Sequence, residues 1–456
     1  MERGADFAEV YAERTERTSA SLEEGAIRSA NFGVDQGVGI RAISGAKVGY
    51  AYSDDLDPES LDRAARTAAH IASSSREAAP VALRRVAAPT HYQVIEPLAT
   101  ADIQPKIDLL MRGNRAARAY DARVKQVNGA FADQTRAICV ANTQGHFAED
   151  VQDLCRLHFY VIAVGKDGER RTGFYGGGGR VDLRFFESFR PEDVAEEAAR
   201  QAIATLGAVA APAGPRTVVL APGWSGILLH EAIGHGLEAD FIRKKTSLFT
   251  DKLGQKVASD KVTVIDDGTV ANARGSINVD DEGVPGERKL LIEGGVLRGY
   301  MSDTLNAKLM GGRSTGSGRR ESFRSPPLPR MTNTYLAPGD ETPEDILRGV
   351  KTGLYCAAFG GGQVDISNGN FVFEVAEAYL IENGKLTRPV KNATLIGVGP
   401  EALKKVSHVG NDPRPDPGMG TCGKDGQSVP VGVGLPTVRI DDLTVGGTAL
   451  GGGRMV

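Results

Sequence analysis

The stretch Trp224-Ser225-Gly226-Ile227-Leu228-Leu229-His230-Glu231-Ala232-Ile233-Gly234-His235-Gly236-Leu237-Glu238-Ala239-Asp240 constrains this chain more than any other, because an apolar run delivers two histidines and a glutamate into glycine-rich surroundings. A helix bearing HExxH sets two imidazoles one turn apart, with a glutamate beside them to take a proton from metal-bound water. Here the spacing is HExxxH. At about 100° per residue an ideal α-helix would hold His230 and His235 about 140° apart in azimuth, too divergent to share one ion. A single π-type turn, closed by an i to i+5 hydrogen bond, brings both rings back to within about 50°. The irregularity is expected at Gly234, immediately before the second histidine. A lone histidine is more often a hydrogen-bonded core or surface residue, but His, Glu and His together on an apolar segment reverse that preference. A third ligand is still needed, and Glu238, Asp240 and a distant cysteine are the candidates.

At 456 residues the chain exceeds the roughly 250–300 residues that one core usually serves, so two domains are expected. We place an N-terminal α+β domain at residues 1–210 and a mostly β C-terminal domain, carrying the HExxxH helix, at residues 215–456. With 54 basic and 58 acidic residues, a net charge of -4 and no basic run, nucleic acid is not an expected partner. The start, Met1-Glu2-Arg3-Gly4-Ala5-Asp6, has no apolar signal core, and about 18 consecutive apolar residues occur nowhere. A cytoplasmic protein without a membrane span is the reading. Cys139, Cys155, Cys356 and Cys422 form no CxxC pair, which suits reduced thiols, one of them a metal ligand. The 57 glycines exceed the roughly 32 of average usage, pointing to tight turns, bulges or an extended ligand laid against main chain.

Residues 9–52 alternate apolar and polar with turns at Glu23-Glu24-Gly25 and Ser44-Gly45, which predicts a meander of strands. Asp57-Pro58-Glu59 caps a helix to about Ser74, and a second helix is expected from Asp102 through Ala119. Strands follow at 124–140 and 146–162. Gly176 to Gly179 lacks the Lys-Ser/Thr helix of a phosphate loop and reads as a turn or substrate-side loop. Pro191-Glu192-Asp193 opens a helix to about Leu206, and residues 208–214 form the best linker. Gly294-Gly295 and Asn383-Gly384 are two-residue hairpin turns. Residues 311–329, rich in glycine, arginine and proline, read as a mobile loop, and Thr342-Pro343 caps a helix to about Tyr355, with Cys356 at its end. Cys422 lies in a glycine-rich loop, which argues against a core-filling role; a thiolate there would close a His, His, Cys zinc site with a fourth position left for water.

Three motifs carry a family resemblance: HEAIGHGLEAD at 230–240, PRMTNTYLAPGD at 329–340 and GTCGKDGQSVPVGVGLP at 420–436. Together, and in this order, they resemble the TldD/PmbA family, on the TldD side that bears the metal motif. The resemblance covers nearly the whole chain. It implies a cytosolic metallopeptidase in which His230, His235 and Cys422 bind zinc and Glu231 is the general base. It also implies a dimer with a PmbA/TldE-like subunit, or with a second copy, that encloses a chamber for unfolded peptide added as a β-strand. Family chains usually begin with a helix before the segment matching residues 5–13, whereas four residues precede it here, so either a truncated chain or a late-assigned start is expected.

The expected chemistry is hydrolysis of an extended peptide by metal-activated water, with Glu231 passing the proton on to the leaving amine. Arg313, Arg319, Arg320 and Tyr335 are the candidates for stabilising the oxyanion, although the arginines read more naturally as solvent-exposed. Two other readings use the same residues: a metal-dependent amidase acting on small molecules, and a non-catalytic peptide-binding or chaperone subunit.

Overall fold

The structure, a computed structural model, describes residues 6–72, 81–92 and 94–447. The first five residues, the expected end of the first helix at Ser73 and Ser74, and residues 448–456, which include the Gly451 to Gly453 cluster, lie outside the described residues.

The predicted meander is there and is long. Strands β1 (Phe7–Glu23), β2 (Ala26–Ser44) and β3 (Lys47–Ser53) are followed by helix α1 (Pro58–Ile71), the two-residue strand β4 (Arg84–Arg85), helix α2 (Ile103–Tyr120) and strands β5 (Val124–Asn142), β6 (His146–Val164) and β7 (Arg170–Gly179). They form one sheet in the order β3-β2-β1-β5-β6, with β4 and β7 sharing the far edge of β6. Strands of 17 to 19 residues at about 3.3 Å per residue are too long for one cover. At one end α2 and the helix Pro191–Ala204 bury Val127, Phe131, Leu157 and Phe159. At the other end Tyr11, Ile138, Val140 and Ala148 pack on Val279 and Phe323 of the C-terminal half.

Gly176 to Gly179, expected as a turn or loop, is strand: it pairs with residues 155–158 of β6. The residues lack side chains for want of space, since a Cβ on Gly178 would run into the Cys155 carbonyl. Residues 208–214 are likewise no slack tether, because Val209–Ala210 pairs with the strand Lys385–Lys391.

In the C-terminal half the strands Gly214–Leu220, Thr352–Asp365, Asn370–Glu382, Ala393–Val398 and Val438–Gly446 pair successively and close into a ring. Leu354, Phe371, Phe373, Leu395 and Ile440 belong to its core. A second sheet runs Val296–Leu297, Arg288–Glu293, Val264–Asp267, Asn333–Leu336, Gly432–Leu435 and Arg414–Pro415. Both predicted hairpins form, with Gly294 and Gly295, and Asn383 and Gly384, all at positive φ as the two-residue turn requires. The helix from Pro343 ends at Arg348, well short of Tyr355, and Cys356 lies mid-strand between Leu220 and Ala378. Gly349, Val350 and Gly353 favour ending the helix, and the alternation that begins at Leu354 continues as strand. The fold is thus α+β and multidomain, as expected. Among the described residues no helix is long and apolar enough to cross a membrane.

Candidate metal centre

The apolar residues of the central stretch, Leu228, Leu229, Ala232, Ile233 and Leu237, belong to the largest core of the molecule. That burial holds a backbone that changes type three times. One 3-10 turn (Trp224–Gly226) leads into one α turn (Ile227–Leu229), a π turn (His230–Gly234) and a last 3-10 turn (His235–Leu237). The His235 N–H donates to the His230 carbonyl, the i to i+5 bond that absorbs the extra residue. The two imidazoles end 5.0 Å apart between centroids and at 86° to each other. Gly234 has an ordinary right-handed φ of -55°. Its role is space and not backbone freedom, because a Cβ there would meet the Met331 sulfur.

Cys422 is not in a loop. It sits on a β-hairpin, Thr421–Lys424 with Gln427–Pro430, whose turn residues Asp425 and Gly426 have φ of 49° and 74°. Strand alternation turns Cys422 and Lys424 inward and Thr421 and Gly423 outward. The Cys422 Sγ lies 3.5 Å from His235 Nε2. Donor atoms of His230, His235 and Cys422 all fall within 4.8 Å of one another. Around a tetrahedral zinc, with Zn–N of about 2.0 Å and Zn–S of about 2.3 Å, nitrogen and sulfur stand about 3.5 Å apart, so the donor set fits that ion.

Glu238 and Asp240, the other candidates for third ligand, are placed differently. Glu238 Oε2 faces His235 Nδ1 at 3.1 Å and the Lys424 ammonium at 3.0 Å. Asp240 pairs with the same ammonium at 2.7 Å. The carboxylate behind His235 fixes which ring nitrogen faces Cys422, the arrangement that orients metal-binding histidines. Burial alone would disfavour the Cys422 thiolate, but the charge and hydrogen bonds of His230 and His235 outweigh it and hold the thiol well below its usual range. Burial likewise opposes charge on His235, and Glu238 and Cys422 overturn that, raising it. For Glu238 burial is again outweighed, by Lys424 and His235, and its pKa falls to about 2. This charge pair is what a bound cation would replace, releasing the imidazole proton. Glu231 is half-buried beside the pair; burial raises its carboxyl, against the pull of both histidines.

The arginines proposed for the oxyanion are not a solvated set. Arg313 is exposed and pairs with Glu287 at 2.9 Å. Arg319 and Arg320 are 3% and 0% exposed, and Arg320 is engaged by Glu9 and Asp281. Tyr335 donates to Asp267 at 3.3 Å. The expected mobile loop is instead pinned, with Gly318–Arg319 paired to Leu328–Pro329 and the buried guanidinium of Arg319 bonded to the Met331 carbonyl at 2.7 Å. Charge misled the reading, because a glycine- and arginine-rich segment whose arginines reach carboxylates and carbonyls elsewhere in the chain has the composition of a solvated loop. Two site residues went unread. Arg330 donates to the carbonyls of Cys422 (2.6 Å) and Gln427 (3.2 Å), locking the hairpin, and Lys424 holds Glu238. The signal for Lys424 was Asp425-Gly426, a hairpin turn that puts residue 424 on the face of residue 422.

Two imidazoles and a thiol buried together with a carboxylate nearby, on an α+β scaffold, are the donor set of a metallohydrolase-type centre. Family models described as PmbA/TldA metallopeptidase domain 1, central domain and C-terminal domain match residues 8–72, 96–206 and 213–447. A metalloprotease TldD homolog of Haemophilus influenzae is 47% identical over 453 residues, spanning 98% of this chain and 94% of its own length. A metalloprotease of Methanocaldococcus jannaschii is 34% identical over 447 residues, 95% of this chain and 96% of that one. The crystal structure of TldE from Thermococcus kodakarensis shares the fold, with a TM-score of 0.77, 22% identity and 97% of each chain covered. The chain belongs to the PmbA/TldD metallopeptidase family, on its TldD side.

Proposed function

We propose that this metallopeptidase is zinc-dependent and hydrolyses unfolded or extended peptides, with His230, His235 and Cys422 as zinc ligands and Glu231 as general base. The convergence of the three donor atoms within 4.8 Å carries the reading. Zinc, when bound, supplies Lewis acidity toward water and a peptide carbonyl. Glu231 has no side-chain hydrogen bond among the described residues; it takes the proton of the attacking water and returns it to the leaving amine. Its raised carboxyl brings it toward the range in which a base works near neutrality. Glu238 and Lys424 hold His235 in register, and Arg330 holds the main chain of Cys422. The same reading has the protein act in the cytoplasm, as two domains meeting at residues 210–215, and enclose its substrate together with a PmbA/TldE-like subunit or a second copy. The shared fold with TldE supports the pairing.

The test is metal content and cleavage of an unfolded polypeptide, followed together in wild type, Cys422→Ser and Glu231→Gln. About one zinc per chain is expected in the wild type, with metal and activity both falling in Cys422→Ser. Glu231→Gln should keep its zinc and lose roughly 10²- to 10⁴-fold in turnover. Full zinc in Cys422→Ser would move the third ligand elsewhere. Zinc without cleavage, alone or with a TldE-like subunit, would point to the peptide-binding role instead.

A further inference from the structure

Four arginines gather near the strand that bears Cys422, and none of them has a carboxylate within ion-pair distance among the described residues. Arg180, Arg274, Arg319 and Arg330 are 1%, 7%, 3% and 0% exposed. Main-chain and hydroxyl oxygens take part of their hydrogen-bonding capacity. Arg274 donates from Nε to the Gly420 carbonyl at 2.7 Å and from Nη2 to the Thr421 hydroxyl at 3.4 Å. Arg180 lies over the Tyr92 ring at 4.8 Å, with Nε and Nη1 buried and unpartnered.

Elsewhere in this molecule a buried arginine comes with acids: Arg41 with Glu9 and Glu282, Arg136 with Glu13 and Asp281, Arg320 with Glu9. A cation taken from water without a paired counter-charge is expensive, so the unpaired cluster asks what balances it. Burial first, then Arg156 and Arg180 against the attraction of Asp416, draws the Arg274 pKa down to about 9. Burial, with Arg180 and Arg330 against the attraction of Asp281, draws Arg319 down to about 10. Both guanidinia keep their protons, so each is a buried cation whose hydration the protein has only partly replaced.

Arg274 also lines a cavity of about 590 Å³ whose wall includes Val181, Phe185, Phe189, Leu336 and Asp416. The Phe185 and Phe189 rings stack at 5.1 Å and 24°. Asp416 is committed to its own loop, accepting the Gly418 (2.6 Å), Met419 (3.0 Å) and Val433 (2.7 Å) N–H groups. Two contacts to main chain link residues of the cavity wall to the elements that carry the site. Gly420, the acceptor of Arg274, is two residues from Cys422, and Gly434 in its wall lies against Gly226 at the start of the histidine-bearing helix.

We propose that this cavity is the subsite for a substrate carboxylate carried beside an apolar group, and that Arg274 is the specificity residue that meets it. The inference rests on the peptidase reading and adds to it a preference for acidic over neutral peptides at one position. The Nη1 of Arg274 has no hydrogen-bond partner among the described residues and supplies the free donor. A peptide offers such an anion from its C-terminus or from an Asp or Glu side chain, and a planar guanidinium reads both.

The experiment uses metal-loaded protein, with its TldE-like subunit if activity needs it, and matched unfolded peptides. In one pair the C-terminus is free or amidated; in the others each acid is exchanged for its amide. A charge-assisted hydrogen bond predicts roughly tenfold to hundredfold higher kcat/KM for the carboxylate form, mainly through KM. That ratio should collapse toward one in Arg274→Gln and recover in part in Arg274→Lys. Loss of the preference on amidation identifies the terminal carboxylate, and loss at a single acid identifies a side chain; either supports the subsite. Independently of any variant, hydrocinnamate should inhibit the wild type competitively and its amide should not. Equal cleavage of acidic and neutral peptides, or a preference that survives in Arg274→Gln, overturns the proposal. If the wild type cleaves no peptide at all, the peptidase reading fails instead, and calorimetry of hydrocinnamate against its amide still decides the subsite, with equal or absent binding overturning it.

Discussion

Cys422 favours the thiolate only because of what faces it. Its own burial works against ionisation, and two imidazoles reverse the balance. Glu238, fully buried, stays ionised for the same kind of reason, with Lys424 against it. His158 on β6 shows the opposite outcome. Burial first, and then Arg156, pushes its pKa down from 6.5 to about 4, and its Nδ1 is buried without a partner. The folded state therefore favours the neutral ring. Its contribution to stability is complete above the unfolded value of 6.5 and drains away as pH falls toward about 4. Urea midpoints measured across that range should fall more steeply for wild type than for His158→Gln. Above it, the difference between the two proteins should be flat. Parallel curves throughout would show that His158 is not buried as a neutral group.

An element is as exact as the surfaces around it allow. The π turn that brings His230 and His235 together is held at backbone contact by Gly399, where a Cβ would run into the Ala232 carbonyl. Neither partner there is a flexible side chain. Gly399→Ala should therefore cost about 1–3 kcal/mol of stability by overpacking, read from urea denaturation, and should weaken metal retention with it. A variant of wild-type stability that keeps its metal would show that the helix can shift freely. Hairpins at Gly294-Gly295 and Asn383-Gly384 were legible because positive φ at both positions is a local demand. Cys356 was misplaced because Thr342-Pro343 announces where a helix starts, while its stop depends on the strand partners Leu220 and Ala378.

Across the whole molecule, the N-terminal sheet is joined to the C-terminal half by buried charge as well as by Tyr11, Ile138 and Phe323. Arg41 bridges Glu9 at 2.7 Å and Glu282 at 2.6 Å, and Arg320 joins Glu9 while its N–H bonds Asp281 at 2.8 Å. Removing one member of such a network strands the others. Arg320→Met is expected to lose about 3–5 kcal/mol in chemical denaturation. The loss should be nearly insensitive to salt, because the pair is enclosed. A loss below about 1 kcal/mol, or one that salt erases, would mean that the two halves are held by apolar contact alone.

By itself, the sequence determined the elements whose cause is local: the meander of β1 to β3, the helices from Pro58, Ile103 and Pro191, the glycine turns, and the presence of His, Glu and His on an apolar segment. Those follow from side-chain period, capping and the φ that a turn requires. The sequence offered Cys422, Glu238 and Asp240 as the third partner of the histidines and its motifs favoured Cys422, but only tertiary structure sets the geometry in which they meet. Cys422 lies 187 positions from His235 and faces its Nε2, while Glu238, close in sequence, meets the other ring nitrogen and Lys424. Tertiary structure also decided that Arg319 and Arg320 lie inside and not in solvent. Which charge faces which, and in how dry a place, depends on the packing of elements far apart in the chain, and no local period records it.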